Sequence, residues 1–363
     1  MRSTRHAIAL GVLILVLALP GTASAVPREF FGISPQTPLT EADVEHMEAA
    51  RIGSLRWPLA WESVQPTARS EYDWSGFDEV VGIAARGHLR VLPFLAGTPK
   101  WLAPKFTILP IDSARRRRAW QAFVRAAVER YGPGGDFWRE HWYGSADPVP
   151  SLPVLNWQIW NEANFFYFAT PASPTRYAKL LKITSPVIRS AEPNAGIILS
   201  GLFGEPTAQP PNAMSAVDFL ERLYKVPGIR SLFDGVALHP YADRASKLEE
   251  MTEELRQLIL ENHDPSAALY ITEMGWGSQN DPNIVSFERG MHGQVVEMRN
   301  AYSYLIANRR RLNLKATYWF SWKDAAGLCN FCDSVGFFHA GNGLRAKPSW
   351  HAFVQLTGGR TRP

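Results

Sequence analysis

The chain has 363 residues, 46% of them hydrophobic and 12% aromatic, which excludes a disordered or low-complexity protein and suffices for one large core. Its formal charge is +4, and the pI near 9 does not imply a nucleic-acid partner, because Arg2 and Arg5 fall in a leader whose removal lowers the charge to +2. The only cysteines are Cys329 and Cys332, so a disulfide-dense scaffold is excluded as well.

The chain opens on that leader. Arg2 and Arg5 precede the apolar run Ala7 to Leu19, then Pro20-Gly21 and Ala23-Ser24-Ala25. This is the pattern of a secretory signal cut after Ala25, leaving residues 26–363 as one mature domain, extracellular or periplasmic. The apolar run is too short to span a bilayer, and no other stretch is long and apolar enough, so stable membrane insertion is not expected after cleavage.

Phe30 to Ser34 reads as a first strand, and Thr40 as the cap of a helix bearing Val44, Met47 and Ala50. Ser54 to Trp61 is a second strand with its exit loop, Asp78 to Ala85 a helix, and Leu89 to Leu95 a third strand. Arg115 to Arg118 open a helix striped by Trp120, Phe123, Val124, Ala127, Val128 and Tyr131, which places most of these charges on the solvated face rather than at a phosphate. Gly132 to Pro153 is an inserted loop, since the helix-like runs continue unchanged beyond it.

Val154 to Trp160 is an apolar, β-branched and aromatic run that ends in Asn161-Glu162. It reads as a strand buried on both faces with the glutamate at its tip. A helix carrying Tyr177, Leu180, Leu181, Thr184, Val187, Ile188 and Ala191 follows, then strands over Gly196–Leu202 and Phe233–His239, with a short helix near Val217 to Leu223 between them. After a helix marked by Leu248, Met251, Leu255, Leu258 and Ile259, Ala268 to Glu273 repeats the central pattern: a buried strand delivering a glutamate. Phe287, Met291, Val295, Met298, Tyr302 and Leu305 form a helical stripe, Ala316 to Trp322 the eighth strand, and Pro348 to Leu356 a closing helix.

Eight strands alternating with helices predict parallel pairing and closure into a (β/α)8 barrel, a TIM barrel. An open doubly wound sheet is the other arrangement of such units, but no glycine-rich phosphate turn follows any strand. Active sites of these barrels lie at the C-terminal strand ends. Here those ends carry Arg56-Trp57, Trp101, Asn161-Glu162, Glu205, His239-Pro240-Tyr241, Glu273 and Trp319 to Trp322.

Paired carboxylates on two strand tips suit glycoside hydrolysis, which needs one carboxyl protonated and a second ionised. Glu162 and Glu273 are the candidate catalytic pair. Arg56 is expected to stabilise an ionised Glu273, Asn161 to bond a sugar 2-hydroxyl, and His239 and Tyr241 to bond the substrate or hold Glu273. Trp319 is the candidate floor of the cleaved-sugar subsite. Trp57, Trp61, Trp101 and Trp276 are sugar platforms or plain packing. Glu205 is a spare carboxylate, read as a loop residue. Cys329 and Cys332, behind a leader and without a second pair, read as a local disulfide rather than half a zinc site. The chemistry requires no metal or organic cofactor.

These motifs together resemble glycoside hydrolases of clan A, most of all family 39 and related bacterial members. The resemblance rests on Arg56-Trp57, on Trp61, Pro66, Tyr72-Asp73-Trp74 and Asp78, on Trp160-Asn161-Glu162, on His239-Pro240-Tyr241 and on Thr272 to Trp276, and covers Phe30 to Trp350. It implies a retaining mechanism with Glu162 as acid/base, Glu273 as nucleophile and carboxyls ~5 Å apart. Ala163 departs from the pattern, since many relatives have proline there, and the resemblance does not place the Cys329–Cys332 loop. A non-catalytic barrel binding polysaccharide at the cell envelope would keep the aromatic platforms but need neither glutamate. A structural envelope protein would leave the polar strand ends unexplained, and a phosphate-handling lyase would need glycine-rich loops that Gly275 and Gly277 do not supply.

Overall fold

The computed structural model describes residues 26–281 and 285–363. The leader expected over residues 1–25 lies outside the described residues. Eight strands, β1 Phe31–Ile33, β2 Ser54–Ala60, β3 Arg90–Ala96, β4 Asn156–Ile159, β5 Gly196–Phe203, β6 Gly235–His239, β7 Ala268–Met274 and β8 Leu314–Trp319, close into one barrel in sequence order. Every neighbouring pair is parallel, and β1 against β8 completes the ring through Phe31 opposite Thr317. The chain is therefore a TIM barrel in a single unit.

The surrounding helices are α1 Glu41–Ala49, α2 Trp61–Val64, α3 Ser75–Arg86, α4 Ala114–Tyr131, α5 Asp136–Glu140, α6 Pro174–Ala191, α7 Ala216–Tyr224, α8 Ala245–Glu261, α9 Gly290–Asn308 and α10 Pro348–Thr357. Their starts are written in the sequence. Thr40 and Asp43 form a reciprocal capping box on α1, while Ser113, Ser173 and Ser215 accept backbone N–H groups at the starts of α4, α6 and α7. Of the four arginines opening α4, Arg115 and Arg118 are exposed, while Arg116 and Arg117 donate to the carbonyls of Leu102 and Ile111. Among the described residues no helix is long and apolar enough to cross a membrane.

Several limits differ from the pattern reading, the eighth strand among them, which spans Leu314–Trp319 rather than Ala316 to Trp322. The central strand spans only Asn156–Ile159, because Trp160 takes φ 70° and breaks the extended run; Leu155, read as buried, is exposed. The α9 stripe is less regular than the sequence suggests: Phe287 precedes the helix, Met291 is exposed, and the buried face runs through Gln294, Met298, Ala301, Tyr302 and Leu305. The Gly132–Pro153 insertion holds α5, anchored by buried Phe137 and Trp138.

Strand alternation sends one set of side chains into the barrel and the other toward the helices. Leu92, Ile198, Ala237, Ala316 and Tyr318, with Tyr270 packed on them, form an apolar plug inside the barrel. Above it, towards the C-terminal ends, the buried interior turns polar: Ser34, Arg56, Gln158, Asn161, Glu162, His239, Thr272 and Glu273. That change of character along the same strands locates the site.

Candidate active site

Arg56 organises the polar layer from β2. Its NH1 donates to Glu273 Oε1 at 2.6 Å and to Ser34 Oγ at 3.3 Å, its NH2 to Asn161 Oδ1 at 2.6 Å, and its Nε to Gln158 Oε1 at 2.7 Å. The guanidinium also lies 4.2 Å from the centroid of the half-buried Phe94 ring. A buried arginine whose three nitrogens all have partners is locked in place. Arg56 is 1% exposed, and its guanidinium is taken up by contacts within the protein, Asn161 and Glu273 among them.

Two backbone irregularities bring the glutamates to this layer. Beyond β4, Trp160 and Glu162 adopt φ 70° and 37°, a region β-bulky side chains rarely enter, and the turn aims both Asn161 and Glu162 into the mouth. On β7 the pairing register with β8 shifts between Ile271 and Met274, so Thr272 and Glu273, neighbours in sequence, both reach the interior.

His239, at the end of β6, joins the two tips. Its Nδ1 lies 2.7 Å from Glu162 Oε1 and 3.6 Å from Glu273 Oε2, and its Nε2 2.9 Å from Thr272 Oγ1. Thr272 Oγ1 also accepts from Gln158 Nε2 at 3.3 Å. A Cβ at Gly201 would stand 1.9 Å from His239 Nε2, so the imidazole fits only because β5 has no side chain there. Burial and the Arg56 charge hold the His239 pKa well below its usual value, keeping the ring neutral. His239 has no exposed surface, and its Nδ1 lies closer to Glu162 than to Glu273, the residue that it was expected to hold if it did not bond the substrate. Tyr241 OH donates to Glu273 Oε2 at 2.9 Å.

Burial, reinforced by the charge of Glu273, raises the Glu162 pKa well above the ordinary carboxylate range, against the opposing pull of Arg56. One oxygen of Glu162, one of Glu273 and a nitrogen of His239 all lie within 4.8 Å of one another. Two carboxyls so close, one pressed towards protonation and the other paired with a cation, have the asymmetry that acid–nucleophile chemistry uses.

The tryptophans fare differently from their sequence reading. Trp319 is 0% exposed, donates from Nε1 to Val335 O at 3.2 Å and stacks on Phe337 at 4.9 Å, so it belongs to the outer core and cannot floor a subsite. Strand parity explains this: Ala316 and Tyr318 point into the barrel, and Phe320 continues that inner series, 6.1 Å from the Tyr241 ring. Trp57 shares the outward face of β2 with Leu55 and Leu59 and packs against the helix-side core. Trp61 is buried against Phe123 at 5.5 Å, and Trp276 is 1% exposed beside Trp319. Trp101 is half-buried, bonded to Gln65 O at 3.0 Å and covered by Arg115 at 5.7 Å. Glu205 pairs with Lys247 at 2.8 Å, away from this centre. Cys329 and Cys332 are joined by a disulfide.

Sequence reasoning passed over Gln158, Ser34 and Phe94. Gln158 carried a signal: a glutamine in the middle of an otherwise apolar strand needs a buried polar partner. Ser34 and Phe94 carried none, because a serine and a phenylalanine at strand ends are ordinary.

A TIM barrel with a buried carboxylate pair at its C-terminal mouth is thus the class that fold and site define. Its structural neighbours are glycoside hydrolases, in line with the clan A resemblance. A family 39 glycoside hydrolase from Bacteroides cellulosilyticus superposes with a TM-score of 0.65 at 17% identity, over 92% of this chain and 64% of its own. A monomeric β-xylosidase from Caulobacter crescentus gives 0.63 at 18% identity, over 92% and 69%. An intracellular xylanase from Thermoanaerobacterium saccharolyticum, a mutant in complex with xylotetraose, gives 0.57 at 12% identity, over 89% and 94%. At such identities the likeness is one of fold, and this chain spans under two thirds of the length of the family 39 structure. No protein-family profile and no curated protein matches the sequence.

Proposed function

We propose that the chain is an exported, retaining β-glycoside hydrolase that cleaves O-linked sugars of an oligo- or polysaccharide by double displacement. The observation that carries this is the asymmetric pair: Glu162 driven towards its protonated form beside Glu273, whose negative charge Arg56 and Tyr241 meet. Export rests on the leader pattern of residues 1–25. The β-xylosidase and the xylotetraose-bound xylanase among the fold neighbours make β-linked xylose oligomers the first substrates to try.

In the first step Glu273 attacks the anomeric carbon as Glu162 gives its proton to the departing oxygen; the C–O bond breaks and a glycosyl ester of Glu273 forms. His239 directs this proton. With Nδ1–H donating to Oε1, the proton of the acid rests on Oε2, which has no hydrogen-bond partner among the described residues. In the second step Glu162, now the base, takes a proton from water, whose oxygen attacks the same carbon and frees Glu273. Asn161, its Oδ1 taken by Arg56, offers its Nδ2 to the sugar 2-hydroxyl, a bond that strengthens as charge develops on the ring.

The test separates the two roles. Residues 26–363 are assayed on β-linked oligosaccharides and on dinitrophenyl β-glycosides, whose leaving group needs no proton. Glu162→Gln is expected to lose the oligosaccharides and keep much of the activated-substrate cleavage, while Glu273→Gln loses both. Normal turnover in either variant on oligosaccharides would sink the assignment. Sugar binding intact in both variants, with a wild type inactive on every substrate, would favour the polysaccharide-binding barrel.

A further inference from the structure

The Cys329–Cys332 ring sits on the loop after β8 and has no role in the reaction above. It encloses Asn330 and Phe331. Cys332 N–H donates to Cys329 O at 3.3 Å, Ala325 N–H donates to Cys332 O at 2.7 Å, and Phe331 O accepts from Ser334 N–H and Oγ–H at 3.2 and 3.1 Å. The carbonyl of Phe331 and the backbone of both flanking cysteines are thus hydrogen-bonded.

Its ring reaches back to the site. Phe331 lies 5.2 Å from Tyr241, 4.7 Å from Phe287 and 5.5 Å from Phe320, meeting the first two edge-on. Tyr241 is the residue that bonds Glu273 Oε2. Tyr241, Phe287 and Phe320 are buried, whereas Phe331 keeps part of its surface open. A surface loop therefore delivers one aromatic face to within a single side chain of the nucleophile.

Plain packing does not explain the covalent ring. Disulfide stabilisation grows with the length of chain enclosed, and this bridge joins residues only three apart, so it contributes little to global stability. What a short ring does supply is local order. The tryptophans named as platforms are turned outward or covered, so the accessible aromatic surface close to the pair falls to half-buried rings such as Phe331 and Phe94.

We propose that Phe331, presented by the Cys329–Cys332 ring, is a specificity-determining residue whose phenyl face walls the sugar site beside Tyr241 and takes the apolar C–H face of the bound pyranose. This rests on the hydrolase reading. Reduction of the ring acts through Phe331, by releasing it, and leaves the carboxylate pair in place.

The experiment compares wild type, Phe331→Ala, Phe331→Trp, the double variant Cys329→Ser/Cys332→Ser, and that double variant combined with Phe331→Ala. Steady-state kinetics use an aryl β-glycoside, and xylotetraose binding is measured by calorimetry. Phe331→Ala should raise KM and the dissociation constant about tenfold, the worth of one lost aromatic contact, with kcat within about twofold. Phe331→Trp should restore most of the loss. The double serine variant should shift KM in the same direction and add nothing once Phe331 is alanine. An unchanged KM and unchanged binding in Phe331→Ala overturn the proposal, as does a fall in kcat alone that tryptophan does not rescue. Additive effects of the serine and alanine changes overturn the link to the ring. A wild type silent on every glycoside fails the hydrolase reading; the xylotetraose isotherm then decides, since weaker binding in Phe331→Ala upholds the wall and equal or absent binding removes it.

Discussion

Arg56 and Glu273 meet at 2.6 Å although 217 residues separate them along the chain. The same guanidinium grips Asn161 and Gln158, so one cation ties β2, β4 and β7 together at the level where bonds would be broken. Arg56→Lys keeps the charge but loses the fork, since an ammonium cannot hold carboxylate, amide and amide in three fixed directions. We expect kcat to fall at least about a hundredfold, because orientation of both Asn161 and Glu273 is lost. Arg56→Ala should also destabilise the fold by about 3–5 kcal/mol, the usual result of stripping one partner from a buried pair. Denaturant melts and kinetics on one substrate check both; a lysine variant with wild-type kcat would show that the fork is dispensable.

The second prediction follows from the proton on Glu162. Its pKa in the folded chain is raised well above the ordinary 4.5. The native state therefore holds a proton that the unfolded chain has already released in the window between these two values. The stabilisation is complete below about pH 4.5 and is lost as pH rises through the folded value. Glu162→Gln removes the titration. Its melting temperature should match wild type near pH 4 and exceed it increasingly towards pH 8. His239, held neutral, titrates with the opposite sense, but it is present in both proteins and largely cancels in the difference. In kinetics the alkaline limb of kcat/KM should belong to Glu162, and it should vanish on dinitrophenyl glycosides. A melting difference that shrinks as pH rises would contradict the burial of this carboxyl.

Gly201 provides a test that leaves every polar side chain in place. A methyl group there would overlap His239, whose neighbouring atoms stand 1.9 and 2.5 Å from the added carbon. Gly201→Ala must push the imidazole off Glu162, with about 1–3 kcal/mol of overpacking strain. The loss should fall on proton delivery: oligosaccharide turnover drops by about tenfold or more, while dinitrophenyl glycosides, which need no acid, are spared. Gly76→Ala, in α3 with nothing within 4 Å of the new carbon, is the control and should be neutral or slightly stabilising. Equal losses on both substrates would place His239 outside proton delivery.

How far the sequence carried the structure depended on the kind of signal. All eight strands and their order were legible, because buried parallel strands read as short apolar runs and the connecting helices keep their own period. The tips that end those runs in polar residues, Arg56, Asn161-Glu162, His239 and Glu273, are the ones the barrel gathers into a layer. Orientation within each tip was not legible. Inward and outward positions alternate every residue, and the count is reset wherever the backbone slips: at Trp160 with φ 70°, and on β7 between Ile271 and Met274. Trp57 and Trp319 resembled platforms as aromatic residues near strand ends, yet each sits one residue out of phase with the inner face. Phe331 was invisible for another reason: the two cysteines announced a closed loop, but nothing in the sequence shows that its ring packs against Tyr241.

That phase argument makes the last prediction. On β8 the inner series is Ala316, Tyr318 and then Phe320, while Trp319 faces out onto Phe337. Exchanging the two roles separates stability from activity. Trp319→Ala removes a fully buried indole and its bond to Val335 O, so it should cost about 3–5 kcal/mol of stability. Because no part of Trp319 reaches the mouth, the protein that remains folded at low temperature should keep the wild-type KM. Phe320→Ala removes a ring that supports Tyr241 at 6.1 Å and Phe331 at 5.5 Å. It should raise KM and lower kcat together, by letting the tyrosine drift from Glu273, whereas Phe320→Leu, which keeps most of the volume, should recover stability before it recovers kcat. Measuring KM at a temperature where all variants are folded decides the matter. If Trp319→Ala changed KM while Phe320→Ala did not, the inner face of β8 would be the opposite of the one described, and the sugar would rest on tryptophan after all.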